Sequence, residues 1–346
     1  MSGGVTFIDP MAPRPYTGLP GDLAGLGGTE MTLVRICEAL SRRLPITVRQ
    51  SARPGSVISS AGVRYEGFDP KRPLPERPAA IIVVNSWKVA AKVARLHPGT
   101  RIILWLHGFP GRHNRGLATA MAGAGIEIVC VSASHARWLR DFCGAEEQRI
   151  RHLHNPIAEA LAPDGTPRDP NLLLFASSPH KGLDQVFRRF ETLRTRLPDL
   201  RLAVADPGYL AWPTGPVPEG VIPIGRLGQA ALIRWMRRAL CLFYPQDRFA
   251  ETFGLVIAEA NAVGCPALLH RGLGANDEVA SCPSQCIDTT DPAAIAARIA
   301  EWRAAPDHRP LAQARPEFRL SRVVEDWAAL LGAAPADAPE LERLSD

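Results

Sequence analysis

Short apolar runs recur along the chain, and segments with helical apolar spacing fill the gaps between them. In the first half the runs predict strands at Val5–Ile8, Ile46–Gln50, Ile81–Asn85, Ile102–His107 and Ile128–Ser132. Glu30–Leu44, Trp87–Leu96 and His135–Phe142 carry helical spacing between them. After Leu153-His154-Asn155-Pro156-Ile157, the polar stretch Ala162–Pro170 reads as a linker. The alternation then restarts, with strands at Leu172–Ala176, Arg201–Ala205, Cys241–Tyr244 and Ala267–His270. Helices are expected at Leu183–Leu197, Gln229–Ala239, Thr252–Val263 and Pro292–Ala304. Strands alternating with amphipathic helices indicate an α/β protein with parallel sheets. The expected architecture is two doubly wound, Rossmann-like domains, residues 1–160 and 170–310, facing each other across a cleft. Ligands of such sheets bind at the carboxyl ends of the strands. A last helix over 318–332 has Trp327 on its apolar side and can pack back on the first domain. Leu210–Pro223, rich in Pro, reads as a surface excursion, and the Ala-, Pro- and acid-rich end from about Ala333 as poorly ordered.

Composition narrows the classes. The 346 residues suffice for two separate cores. No stretch has the ~18 uninterrupted apolar residues of a membrane span, and the start lacks a basic region before a long apolar one. A cytoplasmic location is expected. Seven cysteines are scattered without repeating pairs, and Cys37, Cys130 and Cys241 sit in apolar runs that suit reduced core thiols. No His pair has metal-ligand spacing, and no metal site is expected. Residues 1–157 hold 20 Lys and Arg against 11 Asp and Glu, whereas the remainder holds 20 against 24. This asymmetry points to an acidic partner for the first half, or to Arg used on solvated faces. No basic cluster interleaved with aromatic residues supports nucleic acid.

Four segments carry candidate chemistry. Glu251-Thr-Phe-Gly-Leu-Val-Ile-Ala-Glu259 places two carboxylates around a glycine-containing helix start. With Thr252 as its cap, the N–H groups of Phe253, Gly254 and Leu255 would lack intrahelical partners and form a phosphate site at the positive end of the helix dipole. Glu259 would then lie about two turns on, roughly 10 Å along the axis. A capped core helix is the alternative. The loop Gly21–Glu30, with Gly27 and Gly28 at its end, opens the first helix and can admit a phosphate or sugar, or is simply flexible. Lys181, beside Ser177 and Ser178, stands at a helix mouth and can neutralise a diphosphate, or occupies an exposed turn. His107 ends an apolar strand, where it can bond a substrate hydroxyl or serve its own loop.

In order, Gly27-Gly28-x-Glu30, the strand-end His107, Asn155-Pro156-Ile157, Lys181-Gly182-Leu183-Asp184 and Glu251-x7-Glu259 resemble the retaining GT-B glycosyltransferases of family 4. The resemblance implies the GT-B fold and a metal-independent, retaining transfer of a sugar from a nucleotide-diphosphate donor to an acceptor hydroxyl, with no cofactor. Glu251 would contact the transferred sugar and Glu259 the ribose. The amides of Phe253, Gly254 and Leu255 would meet the sugar or diphosphate, and Lys181 the leaving phosphate. Gly28 would close over the diphosphate, and His107 would sit near the reacting centre. The leaving phosphate itself would take the acceptor proton. The acceptor is expected to be a glycan or lipid-linked molecule in cell-surface polysaccharide or glycolipid synthesis, with peripheral membrane contact through the basic first domain. This chain departs from the family pattern where Gly-Arg usually precedes the lysine. Phe175-Ala176 stand there, which leaves Ser177, Ser178, Arg226 or Arg248 to complete a phosphate site. A nucleotide-sugar epimerase of the same fold and a non-catalytic nucleotide-sugar binder are the alternatives.

Overall fold

The computed structural model describes residues 3–23, 25–144, 150–208, 212–306 and 310–333. Ala24 of the glycine loop, Leu210 of the Pro-rich excursion and the end beyond Ala333 lie outside the described residues. The first half runs β1 (Val5–Asp9), α1 (Gly28–Leu40), β2 (Ile46–Gln50), β3 (Val57–Ile58), β4 (Arg64–Gly67), β5 (Ala80–Val84), α2 (Trp87–Leu96), β6 (Arg101–Leu106), α3 (Leu117–Gly123), β7 (Glu127–Cys130), α4 (Ala133–Cys143) and β8 (Ile150–His152). The second runs β9 (Asp169–Ala176), α5 (Leu183–Arg194), β10 (Arg201–Ala205), β11 (Val221–Gly225), α6 (Gln229–Arg238), β12 (Ala239–Tyr244), α7 (Leu255–Ala262), β13 (Ala267–His270), α8 (Asn276–Val279), β14 (Cys286–Ile287), α9 (Pro292–Ala304) and α10 (Leu320–Leu331).

Two sheets result. Their strand orders are β3-β4-β2-β1-β5-β6-β7-β8 and β11-β10-β9-β12-β13-β14. Every pairing is parallel except β3 with β4 at an edge. Central strands such as β1, β5 and β12 are buried along their whole length, as sheets covered by helices on both faces require. Local chemistry sets the helix ends. Ser132 accepts the His135 N–H to start α4, and Gly144 ends it in the left-handed conformation. Asp291 caps α9 with Pro292 in its first turn.

The differences from the sequence reading are short or edge elements. Strands β3, β4, β8, β11 and β14 and helices α3 and α8 were not expected. Part of the Pro-rich excursion forms β11, whose Pro223 is tolerated because the strand lies at a sheet edge. Asn85 leaves β5 with φ 57, alone among described non-glycine residues in having a positive φ.

The chain crosses between domains twice, side by side. Ile157 N donates to Phe318 O at 2.8 Å, and Leu320 N donates to Ile157 O at 3.1 Å. Beyond this clasp α10 lies on the first domain. Trp327 is fully buried there, 5.8 Å from Phe7 and 4.8 Å from Trp105 between ring centroids. Arg43 pairs with Glu325 at the same contact. One apolar cluster runs continuously from this face through Phe318 and Phe253 into the second domain. A separate cluster fills the opposite face of the first sheet. No helix among the described residues is long and apolar enough to cross a membrane.

Candidate functional site

The loop after β12 meets the carboxyl ends of β6 and β7, and most of the singled-out residues gather there. Tyr244 closes β12 and donates its hydroxyl to Glu251 Oε1 at 3.0 Å. Burial, then the neighbouring Glu251 charge, push the Tyr244 phenol well above its ordinary value, so it remains a donor. Lys181 reaches the same carboxylate from the turn after β9, with Nζ 2.9 Å from Oε1 and 3.0 Å from Oε2. Its ammonium also lies 4.8 Å from the centroid of the Phe249 ring. Behind Glu251 the backbone of Gly274 is so close that an added Cβ would stand 2.5 Å from the Glu251 carbonyl oxygen. A nearly buried carboxylate is thereby held by a phenol, an ammonium and a backbone wall.

Thr252 is not the helix cap that the sequence suggested. The helix starts at Leu255, with Gly254 at the cap position in the left-handed conformation, φ 89. The Thr252 hydroxyl instead donates to the His107 carbonyl at 2.6 Å, and the Thr252 carbonyl accepts from Ser132 Oγ at 2.6 Å. Glycine at the cap removes the Cβ penalty of the left-handed turn and frees threonine for the other domain. Glu251 therefore precedes the helix, and only Glu259 of the two carboxylates lies on it. In the first turn the N–H groups of Leu255 and Val256 precede any intrahelical acceptor, so the positive end of α7 still faces the loop. Phe253 is buried against Phe318 and His154, so that position offers its backbone and not its ring.

Glu259 is also engaged. Arg35 on α1 of the first domain donates to its Oε1 through Nη1 at 3.0 Å and Nη2 at 3.1 Å, and to the Pro156 carbonyl at 3.1 Å. Both side chains are largely buried. A ribose at Glu259 would have to share that carboxylate with Arg35.

His107 packs its ring on Trp105 at 4.3 Å between centroids, and its backbone N–H donates to Asn85 Oδ1 at 2.7 Å. That bond gives the left-handed Asn85 a purpose, because the strained turn aims an amide at the end of the next strand. Burial, then the nearby His135, hold His107 down to about 3, so the imidazole is neutral near pH 7. Its Nε2 is buried with no partner among the described residues. Gly27 caps α1 and Gly28 opens it, with nothing within 4 Å of a Cβ added to Gly28. Ser178 is buried and bonded to His180 Nδ1 at 2.8 Å, and Ser177 directly follows β9. Of the cations considered as substitutes for the absent arginine, Arg226 reaches across to the Gly25 carbonyl at 3.3 Å, while Arg248 lies 3.5 Å from Asp184.

Sequence reasoning missed Tyr244, Arg35, Asn85, Ser132 and Glu278. Glu278 of the second domain accepts the Ala133 and Ser134 N–H groups at 2.8 and 2.7 Å, plugging the N-terminus of α4 in the first. Burial opposes its charge, but bonds from His154, Ser134 and Ala133 outweigh it and hold Glu278 at about 2. The signal available was the glycine-rich turn Gly272–Gly274 leading into Asp277-Glu278; its partner lies far away in sequence.

With this geometry in place, the family model for glycosyl transferases group 1 matches residues 158–313. Residues 158–313, under half of the chain, are thus similar to the group 1 glycosyl transferases. The match covers the Lys181 turn, the Glu251 loop and α7. A protein named D-inositol 3-phosphate glycosyltransferase from Streptomyces griseus is 33% identical over 143 residues, covering 36% of this chain and 30% of the relative. Its namesake from Streptomyces coelicolor is 34% identical over 132 residues, covering 33% and 28%. The chain thus spans about a third of the length of these curated relatives. Among solved structures, the UDP-forming α,α-trehalose-phosphate synthase of Burkholderia xenovorans superposes with a TM-score of 0.69 at 12% identity, covering 95% of this chain and 100% of that one. AviGT4, a glycosyltransferase involved in avilamycin A biosynthesis, gives 0.58 at 18% identity, covering 96% and 99%. At such identities these likenesses show the fold. The domain that carries the match and its partner domain form a GT-B fold.

Proposed function

We propose that this chain transfers a sugar from a nucleotide-diphosphate donor to an acceptor hydroxyl with retention of configuration and without a metal at the reacting centre. The observation that carries this reading is the Lys181–Glu251 pair, held by Tyr244 at the start of α7 inside the segment that matches the group 1 family. A donor diphosphate draws the ammonium away from Glu251, and the freed carboxylate accepts hydroxyls of the sugar. Lys181 and the positive end of α7 then stabilise the charge that develops on the leaving diphosphate. The bond between the anomeric carbon and phosphate oxygen breaks as the acceptor oxygen bonds the same carbon, and the acceptor proton passes to the leaving phosphate. His107 at about 3 is too weak a base for that proton, which supports its role as a neutral hydrogen-bonding wall through Nε2. The acceptor enters from the basic first domain. There Trp138 stacks on Phe142 at 4.7 Å and Arg115 lies over Phe142 at 5.5 Å, a surface suited to a lipid-linked acceptor at an anionic membrane. Cell-surface polysaccharide or glycolipid synthesis is the setting this favours.

The test is a thermal-shift panel of UDP-, GDP-, ADP- and TDP-sugars, followed by incubation of the binding donor with D-inositol 3-phosphate, glucose 6-phosphate and lipid-linked glycans. The expected result is donor consumption that depends on an acceptor and a product with the donor's anomeric configuration. A donor epimerised in the absence of acceptor, or tight binding with no transfer to any acceptor, would overturn the reading.

A further inference from the structure

Among the described residues, one group of side chains with metal-ligand chemistry stands apart from Lys181 and Glu251. His152 ends β8 and His154 follows two residues later, with their rings 5.2 Å apart between centroids. Glu278 comes from α8 of the other domain, and His154 Nε2 lies 2.9 Å from its Oε1. One donor atom from each of the three lies within 4.8 Å of the others. The spacing of the histidines alone did not mark them as a pair, because the third donor is 124 positions away.

We propose that His152, His154 and Glu278 form a binding site for a divalent transition-metal ion of the zinc class, joining the two domains. Two imidazoles and one carboxylate are a donor set that suits zinc and its neighbours better than magnesium or calcium. Tetrahedral zinc with bonds of ~2.0 Å spaces its ligand atoms roughly 3.3 Å apart, within reach of small side-chain rotations here. The carboxylate is already oriented. The Ala133 and Ser134 N–H groups fix Glu278, and the Phe318 ring packs on His154 at 4.8 Å, the kind of outer support that metal ligands use. His152 and His154 line a cleft of about 540 Å³ together with Glu317, Arg322 and Asp326, which gives an ion entry and leaves room for water. His152 and His154 belong to the end of the first domain and Glu278 to the second, so a bound ion ties the domains at the clasp behind the Glu251 loop. The site stands independently of the transfer reaction, which uses other residues.

Zinc alone, titrated by calorimetry into the chelator-treated full chain, tests this. One ion per chain is expected, with affinity at least 10-fold weaker in His152→Ala, whose side chain is exposed, and in His154→Ala and Glu278→Gln. Zinc should raise the unfolding midpoint of the unsubstituted chain and raise that of His152→Ala by less. Cobalt in place of zinc should give visible d–d bands without a thiolate charge-transfer band, which separates this site from the seven free thiols. Absence of zinc binding, unchanged affinity in His152→Ala, or a thiolate band would each overturn the proposal.

Discussion

Arg35 grips Glu259 across the domain boundary, with both terminal nitrogens of the guanidinium within 3.1 Å of one carboxylate oxygen. The residue that the resemblance assigns to the ribose is therefore also part of the contact between domains. Removing one member of a largely buried pair leaves the other charged and unpaired, at about 3 kcal/mol. Arg35→Ala should lose about that much stability in chemical denaturation, and Arg35→Met combined with Glu259→Gln should recover most of it. Glu259→Gln should also weaken donor binding about 10-fold, the worth of one hydrogen bond to a charged group. An unchanged donor Kd in calorimetry would remove Glu259 from the ribose.

Lys181 and Glu251 pair directly with each other, and the proposed reaction requires a donor diphosphate to separate them. Lys181→Ala should lower kcat by about two orders of magnitude, the usual cost of one transition-state charge partner. Lys181→Arg should not restore it, because a planar fork replaces a compact point charge in a space fitted to Glu251 and Phe249. Glu251→Gln should fall similarly in kcat while keeping its bond from Tyr244 and its folded state. Rates of nucleoside-diphosphate release, set beside circular dichroism, check all three. Turnover near that of the unsubstituted chain in either the alanine or glutamine variant would sink the site assignment.

The parts of this picture that were legible in the sequence are those set by local physics. The periods of β2, α2, β10, β13 and α9 are written in their own residues, and their limits agree residue for residue with the expectation. The Glu251 and Lys181 segments stood out because glycine turns and charges sit at strand ends. What stayed hidden depends on distant partners. Thr252 reads as a cap locally, and only the approach of His107 and Ser132 shows why Gly254 takes that position. Arg35 looks like any helix arginine until Glu259 stands opposite. Short edge strands such as β3 and β14 have too few residues to show a period.

The buried histidines predict how stability varies with pH. His107 falls from an ordinary 6.5 to about 3, and burial holds His135 down to about 4. Each binds its proton more readily in the unfolded chain, so the stability they contribute is complete above pH 6.5. It is lost as pH falls from 6.5 through about 4 for His135 and about 3 for His107. Unfolding midpoints measured from pH 8 to 4 should decline, and His107→Gln with His135→Gln should flatten the slope. The same direction implies that kcat shows no ionisation of His107 between pH 5 and 8. A limb in that range abolished by His107→Gln would return His107 to the role of acid or base.

Gly274 packs directly against the backbone of the Glu251 loop. Its φ of 57 is in the left-handed region, and a Cβ would press within 3 Å of both the Glu251 nitrogen and carbonyl oxygen. Those are backbone atoms, so no side chain can rotate to give room. Gly274→Ala should displace the Glu251 backbone, break the bond from Ala275 N to Glu251 O now at 3.0 Å, and shift the carboxylate away from Lys181 and Tyr244. A displacement of this size near a reacting centre is expected to lower kcat/KM on the order of 100-fold. Gly272→Ala is the fitting control, because a Cβ there meets open space while its φ of 75 carries a similar backbone strain. If both variants lose stability alike but only Gly274→Ala loses transfer, the position of the Glu251 carboxylate, and not the strain of the turn, sets the rate.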